Sequence, residues 1–155
     1  MLKRVMVICM AVMMVMTITS CGIGGDTSSK IKINYGKSDV YTRSEMDEAI
    51  GKIELEFEQF SGARITEISY YGDEGAGENM VDWANFYRSE DVSGEDSYVS
   101  CIGFRVKFHA DEAISDLNVS EGTDNEYEWW LAKTDNDVWE IWGYGPNYVK
   151  DIITM

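Results

Sequence analysis

A helix signal between residues 41 and 62 constrains the fold of this chain more than any other feature. Thr42 and Glu45 have the spacing of a capping box, in which each side chain accepts a hydrogen bond from the backbone N–H of the other residue. An apolar stripe then recurs every three or four residues, formed by Met46, Ile50, Ile53, Phe57 and Phe60. A helix with such a stripe has to pack on a second apolar surface, which the rest of the chain must supply.

Several runs of β-branched and aromatic residues after this helix predict strands. The first run covers 64–71, and the second, 98–108, alternates apolar and polar residues well. A hairpin follows, with strands at 126–133 and 138–144 joined through turn-forming residues at 134–137. These strands would form the sheet on which the helix packs.

The order of these elements predicts the fold class. Between the first two strands, helical spacing predicts a short second helix over 78–87, with its apolar positions at Met80, Trp83, Ala84 and Tyr87. The sequence therefore predicts an α+β fold, with a long N-terminal helix packed across a curved antiparallel sheet of about four strands.

The N-terminal 20 residues have the order of a secretory signal peptide. Lys3 and Arg4 precede an apolar run from Val5 to Ile18, which is shorter than the roughly 17–25 residues that cross a bilayer. The run ends in small residues before Cys21, and this arrangement resembles a bacterial lipoprotein signal. The resemblance implies that Cys21 is acylated and becomes the first residue of the mature protein. An uncleaved anchor helix and cleavage without lipid are the alternatives.

The residues after Cys21 predict a tether and one domain. The stretch 22–29 is rich in glycine and serine, as in flexible linkers. Residues 30–35 alternate polar and apolar types, which suits either a short edge strand or more linker, and we interpret them as linker. The predicted organisation is thus a signal peptide at 1–20, a tether at 21–40 and a single α+β domain at 41–155.

The charge of the chain limits its partners. The formal net charge is −15, and it becomes −17 when Lys3 and Arg4, the only charged residues of the leader, are removed. Such acidity argues against nucleic acid and against adhesion to an anionic membrane, and it favours cationic partners. Because Cys9 lies in the leader and Cys21 would carry lipid, Cys101 is left without a partner for a disulfide within the domain.

The predicted domain resembles the cystatin-like and NTF2-like folds, and it is similar to a group of small lipoproteins of Gram-positive bacteria. The resemblance rests on the capped helix with Ala49-Ile50, on Trp129-Trp130-Leu131, and on the segment from Trp139 to Gly143-Tyr144. It implies a lipid-anchored extracytoplasmic location. It implies no activity, because the group carries none that could be transferred.

The hairpin supplies the candidate binding residues. If Lys133 pairs with Val138, then Trp130, Trp139 and Ile141 share the face of the sheet that the first helix does not cover. Tryptophans on such a face are either covered by another segment or form a binding surface. A bulge in the hairpin would exchange the two faces. We take these three residues as the candidate ligand-binding set.

The other reactive residues form no catalytic or metal motif. His109 lacks a nucleophile motif nearby, and Cys101 shares its side of a strand with basic residues. Asp116, Asn118 and Ser120 have the first spacings of a calcium loop, but its later positions do not fit. The sequence therefore predicts no metal and no cofactor.

These observations favour a membrane-anchored extracytoplasmic lipoprotein whose domain binds a protein or a small ligand. One alternative is a small NTF2-like enzyme with a pocket between helix and sheet. Another is an accessory or inhibitory protein for an exported partner. The inner face of the first helix offers only apolar residues, which favours binding over catalysis.

Overall fold

The computed structural model describes residues 30–76, 78–91 and 97–149. Within these ranges the chain is an α+β fold, in which a five-stranded mixed sheet carries one helix on each face. The strands lie across the sheet in chain order. The elements are β1 Lys32–Asn34, α1 Arg43–Phe57, β2 Ala63–Tyr70, α2 Glu78–Asp91, β3 Tyr98–Ala110, β4 Thr123–Thr134 and β5 Trp139–Gly145, with short 3₁₀ helices at Asp73–Ala76 and Ser115–Leu117.

The predicted antiparallel sheet of about four strands under one long helix is wrong. The sheet has a fifth strand, β1, which pairs in parallel with β2, whereas the other neighbouring strands are antiparallel. The helices have 15 and 14 residues, so α1 is not long and α2 is nearly its equal. β1 has only three residues, and its alternation is too short to distinguish it from a linker. Its parallel pairing is possible because α1 forms the crossover from β1 to β2.

The capping box and the apolar stripe of α1 are confirmed. The Thr42 hydroxyl accepts a hydrogen bond from the Glu45 backbone N–H, and the Glu45 carboxylate accepts one from the Thr42 N–H at 2.9 Å. The buried side of α1 packs on one face of the sheet, which we call the α1 face. β3 and β4 supply most of the sheet residues that are buried on this face. The buried residues of α1 are Met46, Ala49, Ile50, Ile53 and Phe57.

The segment between β1 and α1 is bonded to the domain, which corrects part of the predicted tether. Residues 32–34 form β1, and the carboxylate of Asp73 holds the segment that follows. It accepts hydrogen bonds from the Ser38 hydroxyl at 2.5 Å, the Asp39 backbone N–H at 2.8 Å and the Tyr70 hydroxyl at 2.7 Å. These bonds hold the pKa of Asp73 below its ordinary value. Residues 1–29, including Cys21 and the predicted signal peptide, lie outside the described residues.

The register of the hairpin differs from the predicted one. Lys133 pairs with Trp139 instead of Val138, and the register shifts between Trp130 and Leu131. The one-residue difference in register places Trp139 on the α1 face and Trp142 on the α2 face, while Trp130 stays on the α2 face. The bulge then returns Tyr144 to the α1 face, opposite Trp129. The second face of the sheet is covered by α2, so both faces are part of the core. None of the helices among the described residues is long and apolar enough to cross a membrane.

Candidate functional site

The three residues predicted as a ligand-binding set do not form an exposed surface. Trp130 and Trp139 are 1% and 3% exposed, and Ile141 is half-buried. Trp130 lies on the α2 face, whereas Trp139 and Ile141 lie on the α1 face. The two tryptophans are therefore core residues on opposite sides of the sheet, and the structure does not bring the set together.

Trp130 is enclosed by small residues and an aromatic ring. Its centroid lies 4.9 Å from that of Tyr71, and a Cβ added at Gly103 would lie 2.7 Å from two of its ring atoms. The indole needs both this glycine and Gly75 in order to fit. Sequence reasoning assigned Trp130 to the correct face but could not see that α2 and the 3₁₀ helix at Asp73–Ala76 cover that face.

The exposed aromatic surface lies on α2 instead. Asn79, Asp82, Trp83 and Phe86 recur at positions i, i+3, i+4 and i+7 and line a shallow groove with a volume of about 410 Å³. Trp83 is 36% exposed and Phe86 is 58% exposed. We call these four residues the α2 groove. The opposite side of the helix, with Met80 and Ala84, packs on the sheet.

The aromatic rings of α2 support one another. Trp83 stacks on Tyr87, with centroids 5.8 Å apart and planes 20° apart. Phe86 meets Trp83 edge-on at 6.2 Å and Tyr87 at 5.4 Å. Offset-stacked and edge-to-face contacts are the favoured arrangements of aromatic pairs. The three rings thus form an ordered platform on the outside of the domain.

The contacts beneath this platform fix the position of α2 on the sheet. The Asn85 side chain donates to the Tyr98 carbonyl at 2.9 Å and accepts from its N–H at 2.8 Å. The Arg88 guanidinium lies 4.4 Å from the centroid of the Tyr98 ring, and the Tyr98 hydroxyl donates to Glu140 at 2.8 Å. Burial and the hydrogen bond to Glu140 raise the pKa of Tyr98 to about 12. The Arg88 guanidinium also lies 4.0 Å from the Glu140 carboxylate, so α2 is held by polar contacts at both β3 and β5.

Cys101 lies in the same interface and is not a reactive thiol. It is fully buried, and its thiol donates to the Met80 carbonyl at a sulfur–oxygen distance of 3.5 Å. Burial raises the pKa of this thiol to about 12. A nucleophilic cysteine needs the opposite shift, toward the thiolate. The contact with Met80 gives Cys101 a packing role between α2 and β3.

His109 belongs to a cluster of charged residues at the end of β3. Its Nδ1 lies 2.7 Å from the Asp124 carboxylate and its Nε2 lies 3.5 Å from Asp111, which also accepts from Arg64 at 3.2 Å. Within the described ranges, no group of three or more His, Cys, Asp or Glu residues could hold a metal ion. In the segment that partly resembles a calcium loop, Asn118 instead caps the 3₁₀ helix Ser115–Leu117 in a left-handed conformation.

Sequence reasoning missed the α2 groove because it treated Trp83 as part of the buried stripe. The positions of Met80, Trp83, Ala84 and Tyr87 are compatible with one face, but the helix is rotated so that Met80 and Ala84 point inward. Phe86 was the available signal, because a phenylalanine beside Asp82 on the polar side of an amphipathic helix has no place in the core.

Comparison with known proteins identifies no relative: no protein-family model, no curated protein and no solved structure matches this chain.

Proposed function

We propose that this protein is a membrane-anchored extracytoplasmic lipoprotein and that its domain is a binding module, which contacts a partner through the α2 groove. The binding part of this proposal is supported by one observation, which is that α2 exposes aromatic side chains to solvent. Six large apolar side chains are exposed among the described residues, and only two of them, Trp83 and Phe86, are aromatic and in contact. Contiguous exposed aromatic surface is typical of interaction sites.

The sequence supports the lipid anchor. The charged, apolar and small-residue order before Cys21 resembles a lipoprotein signal, and the formal net charge of −15 disfavours adhesion to an anionic membrane without lipid. Two acyl chains on one residue give stable anchoring, whereas a single chain binds only marginally. The proposed diacylated Cys21 would meet this requirement.

The packing of the core favours binding over catalysis. An enzyme with its site between α1 and the sheet would need a cavity with a desolvated acid or base. The space beneath α1 is instead filled by aromatic and aliphatic side chains, with Phe57 in ring contact with both Phe108 and Trp129. The α2 groove, in contrast, is open to solvent, as is typical of a surface that contacts a macromolecule.

The position of β1 limits how far the domain could reach from its anchor. Ten residues lie between Cys21 and Lys32, the first residue of β1, so the two are eleven residue-to-residue steps apart. A fully extended chain spans at most about 3.6 Å per residue, so β1 would begin within about 40 Å of the anchored residue. Partners of the domain would therefore be proteins exposed close to the membrane surface.

The anchor is tested by metabolic labelling with a radioactive fatty acid. We expect label in the wild-type protein and none in Cys21→Ser. The protein should also move from the membrane fraction to the soluble fraction when lipid transfer to the cysteine is blocked. Equal labelling of the two proteins would contradict the anchor, and it would leave the binding proposal untouched.

The binding surface is tested by photo-crosslinking in cells. A photoreactive amino acid placed at Phe86 should give a discrete crosslinked product. Leu55 is the matched control position, because it is 64% exposed and apolar but lies on α1, on the other side of the sheet. The same product from both positions, or none from Phe86, would contradict a binding role for the α2 groove.

A further inference from the structure

We propose that the α2 groove binds a lysine or arginine side chain of a partner polypeptide, with the cation on Trp83 beside Asp82 and a neighbouring apolar side chain on Phe86. This inference rests on the proposed binding function and names the chemistry that the same surface recognises. Its three parts are the lining of the groove, the charge of the helix and the length of the groove.

The lining combines the two groups that attract an organic cation. Cations bind the face of tryptophan better than the face of tyrosine or phenylalanine, and the attraction grows when a carboxylate stands nearby. Trp83 and Asp82 supply these groups in one groove, with the Asn79 amide as an additional acceptor. No guanidinium or ammonium among the described residues lies over the Trp83 ring. The domain uses the same chemistry internally, in the pairs Arg43–Tyr35, Arg88–Tyr98, Arg105–Tyr71 and Lys133–Trp139.

Charge selects a basic partner over the other occupants of an apolar groove. The sequence of α2 contains four acidic residues and a single basic one, Arg88, whose guanidinium lies over Tyr98 on the inward side. A second copy of this chain would bring two acidic helices together, and an anionic membrane would be repelled by a chain of formal charge −15. A segment with lysine or arginine is attracted by this field, which speeds association and favours the correct partner.

The length of the groove suits a short peptide segment. From Asn79 to Phe86 the helix rises about 10 Å, at about 1.5 Å per residue. An extended segment of about three residues covers this distance, since each residue adds about 3.3 Å. Side chains two positions apart on such a segment lie on the same side and about 6.6 Å apart. This spacing is close to the 6.2 Å between the ring centroids of Trp83 and Phe86, so one basic and one apolar side chain can contact the two rings together.

The probes that test this inference are acetyl-Phe-Gly-Lys-amide, whose two side chains are two positions apart, and its counterpart with an acetylated lysine ε-amine. They differ by one charge and have the same apolar side chain. The full chain carrying Cys21→Ser is labelled with 5-fluorotryptophan, whose five tryptophans give separate ¹⁹F signals. Trp83→Phe identifies the signal of Trp83, and titrations follow its shift at low and at raised salt.

We expect the charged peptide to shift the Trp83 signal and the acetylated peptide to bind about three- to tenfold more weakly. Asp82→Asn should weaken binding of the charged peptide by about two- to fivefold and should reduce the salt dependence of that binding. Glu48→Gln, which removes an exposed carboxylate from α1, is the matched control. It should change neither the affinity for the charged peptide nor the salt dependence of binding.

Two results would overturn the inference. Equal binding of the two peptides at Trp83 would show an apolar surface without selection for a cation, and a crosslink from Phe86 would still support the proposed function. If neither peptide shifts the Trp83 signal, the α2 groove does not bind such peptides. Peptide binding without a crosslink from Phe86 would contradict the proposed function in cells while the chemical preference of the groove stands.

Discussion

The two helices have nearly the same length, 15 residues in α1 and 14 in α2, but they divide their apolar side chains differently. α1 buries five apolar residues almost completely, whereas its outer side carries charged residues such as Glu48 and Lys52 together with the exposed Leu55. α2 buries Met80 and Ala84 and presents Trp83 and Phe86 to solvent. The helix that buries less apolar surface thus carries the larger aromatic side chains on its outer face.

This difference distinguishes α1, whose apolar residues mainly stabilise the core, from α2, which also exposes apolar residues that we propose bind a partner. Exposed aromatic rings contribute little to folding, because burial of apolar area is what stabilises the folded state. On α1 five of the six apolar residues contribute to the core, and only Leu55 is exposed. On α2 two large aromatic residues, Trp83 and Phe86, are exposed instead. This pattern leads us to assign binding to α2.

The largest expected effect is on the α1 side. Ile53→Ala should lower the free energy of unfolding by about 2–5 kcal/mol, because Ile53 is fully buried and its removal leaves a cavity. Urea unfolding in the unlipidated Cys21→Ser background measures this value. Leu55→Ala, two residues away and exposed, should change it by less than about 0.5 kcal/mol. Similar losses at both positions would contradict the division between the two sides of α1.

The second effect concerns the face that α2 covers. Gly103→Ala should destabilise the domain by about 1–3 kcal/mol, because the new Cβ would lie 2.7 Å from the Trp130 ring, which is buried and cannot move away freely. Gly51→Ala is the opposite control. A Cβ at Gly51 meets nothing within 4 Å, so alanine there should stabilise α1 by about 0.5–1 kcal/mol. A neutral Gly103→Ala would show that Trp130 is loosely packed.

Much of the α1 side could be predicted from the sequence because its signals are local. The capping box and the stripe of α1 depend on spacings within one helix, and the turn before β5 depends on the residues at 134–137. β1 could not be predicted, since three residues give too little alternation and its partner, β2, lies more than 30 residues away. The pairing of Lys133 with Trp139 and the bulge between Trp130 and Leu131 could not be predicted either, because no local residue signals them.

The third effect tests the capping box. Thr42→Ala should lower the free energy of unfolding by about 0.5–2 kcal/mol, because the Glu45 backbone N–H loses its acceptor. Thr42→Ser keeps the hydroxyl and should cost clearly less. Loss of stability of equal size in the two variants would mean that the threonine methyl group, and not the cap, is what matters.

The same cap predicts a pH dependence. Hydrogen bonds from the backbone and side chain of Thr42 hold the pKa of Glu45 below its ordinary value of 4.5. A depressed pKa in the folded state means that the stabilisation is present above pH 4.5 and is lost as the pH falls through the folded value. Wild type should therefore be more stable than Glu45→Gln at neutral pH, and the difference should shrink in acid. A difference that is constant from pH 7 to pH 3 would contradict this account.

The candidate site was less predictable than the fold because its evidence is what the tertiary structure leaves uncovered. Trp130 and Trp139 have the residue type of a binding surface, but α2 and α1 cover them. Trp83 has the same residue type and fits the helical spacing of a buried stripe. The exposure of Trp83 is decided by the rotation of α2 on the sheet, and that rotation depends on the contacts of Asn85 and Arg88 with β3 and β5.

The smallest expected effect on stability is at Phe86, and it is the most informative for the comparison between the helices. Phe86→Ala should change the free energy of unfolding by less than about 1 kcal/mol, because the ring is 58% exposed and contributes little buried area to the core. The same variant should weaken binding of acetyl-Phe-Gly-Lys-amide, measured by the ¹⁹F signal of Trp83. A loss of stability as large as that of Ile53→Ala would place Phe86 in the core, and α2 would then be a structural helix like α1.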